Sequence, residues 1–340
     1  MADAGSEDLP DGHPARPPRF AVASPYWRGR PPGEAIEVAV NADGEGFPEI
    51  WLGETNAYDA FAIAAAVAGR TRGSKLVVGP LPVSVRSPAL LAMGIAAVAE
   101  VGGRPAGLAL GTSSPAIVEG WHGARRVSGL TAIEEVTSCL RGLFAGERSR
   151  LEGAAARSVG FRLRGPLSGT TIDIAAGGPR MAALAARVGD GIVANMVSPA
   201  QLTALGAAAG LARRSGTEPA SARLAVWVQL GLEPSADDRA AFKRDLVIYL
   251  GAPGYGERFS ELGFGELVAA VRDGLGTEEA AARIPDELPE AIGAFGDIAT
   301  VCARVADYVA AGADTVVLQP VTYGDPGGRR VLSALSGALL

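Results

Sequence analysis

The stretch VVGPLPVSVRSP, residues 77–88, begins as a buried strand and ends as the start of a helix. Its apolar opening suits a strand covered on both faces. Ser87-Pro88 places an N-cap residue before a proline at the first helical position. Pro80 and Pro82, in between, break the pattern, because each lacks the backbone donor that a central strand uses. Either these prolines simply end the strand, or the strand changes shape there for a reason that lies outside the stretch itself.

The same unit recurs along the chain. Short apolar runs over 20–23, 49–53, 75–79, 106–111, 171–175, 192–195, 224–230 and 315–319 read as strands. Between them, Ala/Leu-rich segments of helical period fall at 32–44, 59–69, 88–101, 130–145, 179–188, 199–214, 236–250 and 298–311, with a last helix over 327–340. Residues 254–293 read as a helical insertion before the eighth strand. Strands alternating with helices imply a parallel sheet, and eight such units imply an α/β fold of the (β/α)8 TIM-barrel type. A doubly wound sheet is the alternative, weakened because no strand leads into a G-x-G-x-x-G loop.

With 340 residues, 48% of them hydrophobic, the chain can fill one large core, so 19–340 is expected to form a single domain. Residues 1–18, rich in Pro, Asp and Gly and without an apolar run, are expected to be a disordered tail and lack the basic start and apolar segment of a signal peptide. No apolar run approaches the ~20 residues that span a bilayer. Only two cysteines, Cys139 and Cys302, occur, which suits a reducing, cytoplasmic compartment. A net charge of -6 without a basic stripe argues against nucleic acid.

In a barrel, chemistry collects where strands end and helices begin. Those junctions read GETNAYD (53–59), GPLPVSVRSP (79–88), GTSSP (111–115), AAGGP (175–179) and ANMVSP (194–199). GTSSP and AAGGP offer bare amides at helix starts, a geometry that binds phosphate or carboxylate, and Arg180 adds charge beside the second. The alternative is that both are ordinary helix starts. Side chains for catalysis are scarce. The histidines are His13 and His122, so neither a His-based metal cluster nor a Ser-His-Asp triad can form except through His122. The lysines are Lys75 and Lys243, and Lys75 lies at the stabilising end of its strand. Chemistry with so few reactive groups points to a cofactor.

Four segments, EIWLGETNAYDAFAIAAAVAGRT, GLALGTSSPAIVEGWHG, IAAGGPRMAALAARVGDGIVAN and YVAAGADTVVLQPV, together resemble the bacterial luciferase-like superfamily, in the branch that uses the deazaflavin coenzyme F420 and is similar to methylenetetrahydromethanopterin reductase. The resemblance runs from about residue 20 to 328. It implies a barrel, usually a homodimer, that holds the ring of the cofactor at the C-terminal strand ends and acts on a small molecule. By motif position it implies that Glu54 lies near the ring and that Gly79, Pro80, Leu81 and Pro82 form the strand-end bulge beneath it. In that family the bulge contains a cis peptide, which falls here at Gly79-Pro80, where proline lowers the cost of the cis form from about 3 to about 1 kcal/mol. Thr112 and Ser113 correspond to cofactor contacts, and Ala176, Gly177 and Gly178 to the loop holding the phosphate-bearing tail. Arg180, and the pair Arg125 and Arg126, are the candidate cations for that tail.

Two departures bear on the reaction. Sugar-phosphate-oxidising members carry a His after the acidic residue and a Glu after the fourth strand, as acid and base for an alcohol; here those positions are Thr55 and Ser114. With Glu54 and His122 they make up the candidate catalytic positions. A missing base typically costs ~10^2 to 10^4 in rate, so reduction of an activated C=C or C=N bond fits better than alcohol oxidation. An FMN-dependent monooxygenase and a non-catalytic flavin-binding protein are the alternatives. Glu54 itself could instead cap the next helix or pair with an arginine.

Overall fold

The structure is a computed structural model that describes residues 19–26, 29–211 and 222–340. The expected tail 1–18, with His13, lies outside the described residues, as does the end of the helix expected over 199–214. Along the chain run β1 (Arg19–Ser24), α1 (Pro32–Gly44), β2 (Glu49–Leu52), α2 (Ala60–Ala68), β3 (Lys75–Pro82), α3 (Pro88–Gly102), β4 (Gly107–Gly111) and α4 (Gly129–Phe144). A small hairpin, β5 (Arg150–Glu152) and β6 (Arg157–Val159), precedes β7 (Thr171–Ala175), α5 (Pro179–Val188), β8 (Gly191–Asn195), α6 (Pro199–Ala208), β9 (Arg223–Leu232) and α7 (Ala236–Gly251). The insertion folds into α8 (Tyr255–Phe259), α9 (Gly265–Arg272), α10 (Thr277–Arg283), α11 (Glu287–Ile292) and the short strand β10 (Gly293–Gly296). Then α12 (Ile298–Ala310), β11 (Thr315–Pro320) and α13 (Arg329–Leu339) follow.

The strands pair in parallel in the order β1-β2-β3-β4-β7-β8-β9-β11, and β11 returns to β1. The ring is closed, so the doubly wound alternative falls away. These are the eight strands expected from sequence. The other three were missed: β5, β6 and β10 have three or four residues each, too few to show a period. β10 pairs with the last residues of β9, Gln229–Leu232, beyond the point where β8 ends.

Alternation along each strand sorts side chains to two cores. Trp51, Val77, Ala109, Val193, Ala225, Trp227 and Val317 cluster inside the ring. Their even-numbered neighbours, such as Ile50, Val78, Leu108, Ile192, Val226 and Leu318, pack against the helices outside. Helix starts follow the expected chemistry: the Ser87 and Ser198 hydroxyls accept from Leu90 N and Gln201 N, with proline next in both.

Charge closes the N-terminal end of the ring. Arg223 at the start of β9 donates Nε and Nη2 to Asp173, each at 2.9 Å, and Nη1 to both oxygens of Glu49, also at 2.9 Å. Trp51 Nε1 donates to Glu49 at 2.7 Å, and Lys75 Nζ to Thr171 Oγ1 at 2.9 Å. Lys75 thus lies at the stabilising end.

The two prolines of β3 now have their explanation. The β3–β4 register runs Val78↔Leu108 and then Leu81↔Leu110, so β3 holds one residue more than its partner across that step. The extra residue is a β-bulge at Gly79-Pro80. Pro80 sits where the ladder is already interrupted, so its missing N–H removes no strand bond. The Gly79-Pro80 peptide is cis, and Gly79 has φ +121°. A Cβ there would lie 2.2 Å from Ala109 O, so the bulge requires glycine.

Candidate active site

The C-terminal strand ends open onto a cavity of about 730 Å³, in the range of small-molecule and cofactor sites. Its space comes from small residues where the inward alternation would otherwise place bulk: Gly53 after β2, Gly111 ending β4 and Ala175 ending β7 all line it. A Cβ on Gly53 would lie 2.9 Å from the Tyr26 ring and 3.1 Å from Trp227, which also line the cavity. Polar side chains pack beside Tyr26, and Asn195 among them lines the cavity. Gln229 Nε2 donates to Asn195 Oδ1 at 3.0 Å and to Gln319 Oε1 at 2.9 Å, beneath Tyr26.

Two phenols reach the cavity together. The hydroxyls of Tyr26, after β1, and Tyr249, on α7, are 3.4 Å apart. Burial pushes Tyr26 up to about 12 and raises Tyr249 well above the ordinary tyrosine value. Both are protonated, hydrogen-bond-donating phenols at neutral pH.

Glu54 lines the cavity, but its oxygens are engaged. Arg86 Nη1 and Nη2 form a bidentate pair with it, both at 2.7 Å, and Ala60 N donates to Oε2 at 2.8 Å. It thus caps α2 and pairs with an arginine at once; Arg86 Nη2 also reaches Asp59 Oδ2 at 2.7 Å. Thr55 lies beside it on the wall.

The 111–122 segment supplies the next wall. Thr112, Ser113, Ser114, Trp121 and His122 all line the cavity. Ser113 has φ +55°, in the left-handed region, and Ser114 Oγ accepts from Ile117 N at 3.4 Å to start a π-helical turn, Ala116–Trp121. His122 is exposed at the rim.

At the far end, Ala176, Gly177 and Gly178 line the cavity ahead of α5, which no side chain caps. The cation beside them comes from the insertion. Arg258 of α8 is 9% exposed, lines the cavity, and donates Nη1 to Gly177 O at 3.0 Å, with Nη2 3.4 Å from Asn195 O. Its guanidinium lies 4.5 Å from the Tyr255 ring centroid.

Of the expected site residues, Glu54, Thr55, Pro80, Pro82, Thr112, Ser113, Ser114, His122, Ala176, Gly177 and Gly178 are brought to one cavity. Five are not among its lining residues. Leu81 is fully buried in the outer core, on the other side of the bulge, and Gly79 faces Ala109. Arg180 is exposed, as are Arg125 and Arg126, and none of them lines the cavity. Sequence reasoning missed Tyr26, Asn195, Trp227, Tyr249, Tyr255 and Arg258. The inward alternation of β8 and β9 would have found Asn195 and Trp227; the tyrosines and Arg258 come from segments with no such period.

Residues 14–315 match the luciferase-like monooxygenases. The chain belongs to the luciferase-like monooxygenase family. Within reach of that family, it is 29% identical over 344 residues to a Mycobacterium tuberculosis protein provisionally named a coenzyme F420-dependent oxidoreductase, covering 91% of this chain and 96% of the relative. It is 25% identical over 211 residues to the 5,10-methylenetetrahydromethanopterin reductase of Methanolobus tindarius, covering 62% of this chain and 64% of that one. The solved coenzyme F420-dependent tetrahydromethanopterin reductase of Methanopyrus kandleri superposes with a TM-score of 0.76 at 18% identity, covering 94% of this chain and 97% of that one. Among the described residues, no helix is long and apolar enough to cross a membrane.

Proposed function

We propose that the protein is a coenzyme F420-dependent oxidoreductase that reduces an activated C=C or C=N bond of a small molecule, acting as a cytoplasmic homodimer. The proton chemistry of the cavity carries the reading, because its buried groups donate rather than accept. Both Glu54 oxygens are held by Arg86 and Ala60 N. The phenols of Tyr26 and Tyr249 are protonated at neutral pH as ordinary tyrosines are, and burial moves both further from ionisation. Oxidising an alcohol needs an acceptor within hydrogen-bond reach of its hydroxyl, and Thr55 and Ser114 bring only hydroxyls to the places where alcohol-oxidising members bring a His and a Glu.

The cavity fits the cofactor. Gly111 and Ala175, facing the bulge at Pro80, leave room for a flat ring, and Gly177 stands where a Cβ would meet Arg258 Nη1 at 2.3 Å. Pro80, Pro82, Thr112 and Ser113 would hold the ring, and Ala176, Gly177 and Gly178 the phosphate-bearing tail. When bound, the deazaflavin supplies the hydride. The chain's part is to exclude water with the aromatic and apolar wall around Trp227 and Ile248, and to hold a proton at Tyr26 Oη and Tyr249 Oη for the product atom next to the one that takes the hydride. The named relatives support this cofactor over FMN.

Support for a dimer comes from α3, which exposes Leu90, Met93 and Val101 on one side. Cys139 and Cys302 are both free, which agrees with a reducing compartment. The test is a quenching titration with oxidised deazaflavin and with FMN. A second step follows the absorbance of reduced deazaflavin against enones, imines and pterins, and of oxidised deazaflavin against secondary alcohols. Consumption of the reduced form by an unsaturated acceptor is expected. Turnover with alcohols alone would overturn the direction, tight FMN binding without deazaflavin binding would make it an FMN-dependent monooxygenase, and binding with no turnover would leave a flavin-binding protein. Light scattering after size exclusion reads the dimer.

A further inference from the structure

We infer that Arg258, carried by the insertion, is the phosphate-recognising residue of this cavity, completing with the start of α5 a site for a phosphate mono- or diester. Arg258 is nine-tenths buried, and its Nε has no hydrogen-bond partner. Among the described residues no carboxylate lies within salt-bridge distance of it. The two acids on its own side of the insertion are engaged elsewhere: Glu257 accepts from Arg272 Nη2 at 2.8 Å and Glu261 from Gln201 Nε2 at 3.1 Å, both in exposed positions. What holds the guanidinium is two backbone carbonyls, Gly177 O and Asn195 O, and the Tyr255 ring. Those contacts orient it without neutralising it.

A buried cation without a counter-charge is costly, and an arrangement that keeps one is complete only when an anion arrives. The place prepared for that anion is defined on the other side. The ten-residue helix α5 starts at Pro179 with no side-chain cap, so its first amides and its dipole face the same end of the cavity that Arg258 lines. A Cβ on Gly177 would lie 2.3 Å from Arg258 Nη1, so the glycine leaves the guanidinium its present place. The planar fork of arginine, whose Nη1 and Nη2 each carry a second N–H beyond the one given to a backbone carbonyl, suits a tetrahedral oxyanion. The same contact ties the insertion to the barrel, so filling the site should also hold α8 in place.

Two sources can bring such a group: the tail of the cofactor, which rests on the reading above, or a phosphate on the substrate, which does not. The experiment separates them. The full chain without cofactor is titrated with the phosphate-bearing deazaflavin, with its phosphate-free chromophore, and with inorganic phosphate followed by thermal shift. The phosphate titration is repeated on the deazaflavin-loaded protein. If the tail fills the site, the phosphate-bearing form binds about tenfold or more tighter than the chromophore alone, and inorganic phosphate stabilises only the unloaded protein. If a substrate phosphate fills it, inorganic phosphate stabilises the loaded protein as well. In either case Arg258→Gln abolishes the phosphate-dependent gain and leaves affinity for the phosphate-free chromophore within about twofold, while Arg258→Lys keeps part of the gain. Because inorganic phosphate needs no deazaflavin, a failure of the cofactor reading leaves this arm standing. The proposal is overturned if folded Arg258→Gln and Arg258→Lys both keep the wild-type phosphate-dependent gain, or if phosphate neither stabilises the protein nor improves binding.

Discussion

Glu54 lines the cavity while its carboxylate works for the scaffold. Its two oxygens serve Arg86 and the first amide of α2, so it joins the end of β2, the start of α2 and the segment before α3. Glu54→Gln should therefore cost stability, about 1.5–3 kcal/mol for the weakened charge-assisted bonds, read from the urea midpoint. Affinity for the deazaflavin chromophore should change less than about threefold. Tyr249 makes the opposite case. Tyr249→Phe removes a cavity-facing phenol that Tyr26 alone then has to replace, and the expected result is a drop in reductive turnover of about 10^2 with cofactor affinity unchanged. Because burial pushes Tyr26 up to about 12, the wild-type turnover should hold on the alkaline side beyond the ordinary tyrosine range. An alkaline limb near 10 would mean that the phenols are not the proton source. Glu54, Ser113 and Gly177 were legible because they sit where a strand ends and the resemblance set a cofactor against those junctions; by themselves they read as ordinary loops. Tyr249 and Arg258 were not, because a side chain arriving from a distant helix leaves no local pattern.

At the scale of the element, β3 shows what a strand end can be made to do. Two prolines and a glycine would destroy a central strand at most positions, yet here they occur where the register already slips by one residue. Pro80 thereby gains a place on the cavity wall, and Gly79 accepts a backbone that other residues avoid. Gly79→Ala should be among the most damaging small substitutions in the chain. The left-handed φ costs about 1 kcal/mol or more, and the added methyl would collide with Ala109 O, so a total above about 3 kcal/mol is expected from chemical denaturation. Gly103→Ala gives the control: its φ is +61° but nothing lies within 4 Å of the added Cβ, so it should cost only about 1 kcal/mol. The barrel strands were legible because each is an apolar run followed by a capped helix. The bulge was legible only through the resemblance, since GPLP by itself also reads as an ordinary strand end.

Across the whole molecule, stability and chemistry occupy opposite ends of the same ring. The N-terminal end is sealed by Arg223, Asp173 and Glu49, with Asp173 fully buried. The C-terminal end is opened by Gly53, Gly111 and Ala175. The layer of Trp51, Val77, Ala109, Val193 and Trp227 separates the two. This separation makes a specific expectation possible. Arg223→Met takes the partner from a fully buried carboxylate and from Glu49, and removing one member of a buried pair typically costs about 3–5 kcal/mol. The loss should appear in the denaturant midpoint. The folded fraction should keep its cofactor affinity within about twofold, because the changed atoms lie beyond the tryptophan layer from the cavity. Adding Asp173→Leu to Arg223→Met removes the stranded charge and should recover part of the stability, since apolar replacement of a buried pair is often tolerated. If the single variant lost affinity as steeply as stability, the two ends of the barrel would be energetically coupled, and the small residues at the mouth would not by themselves account for the cavity.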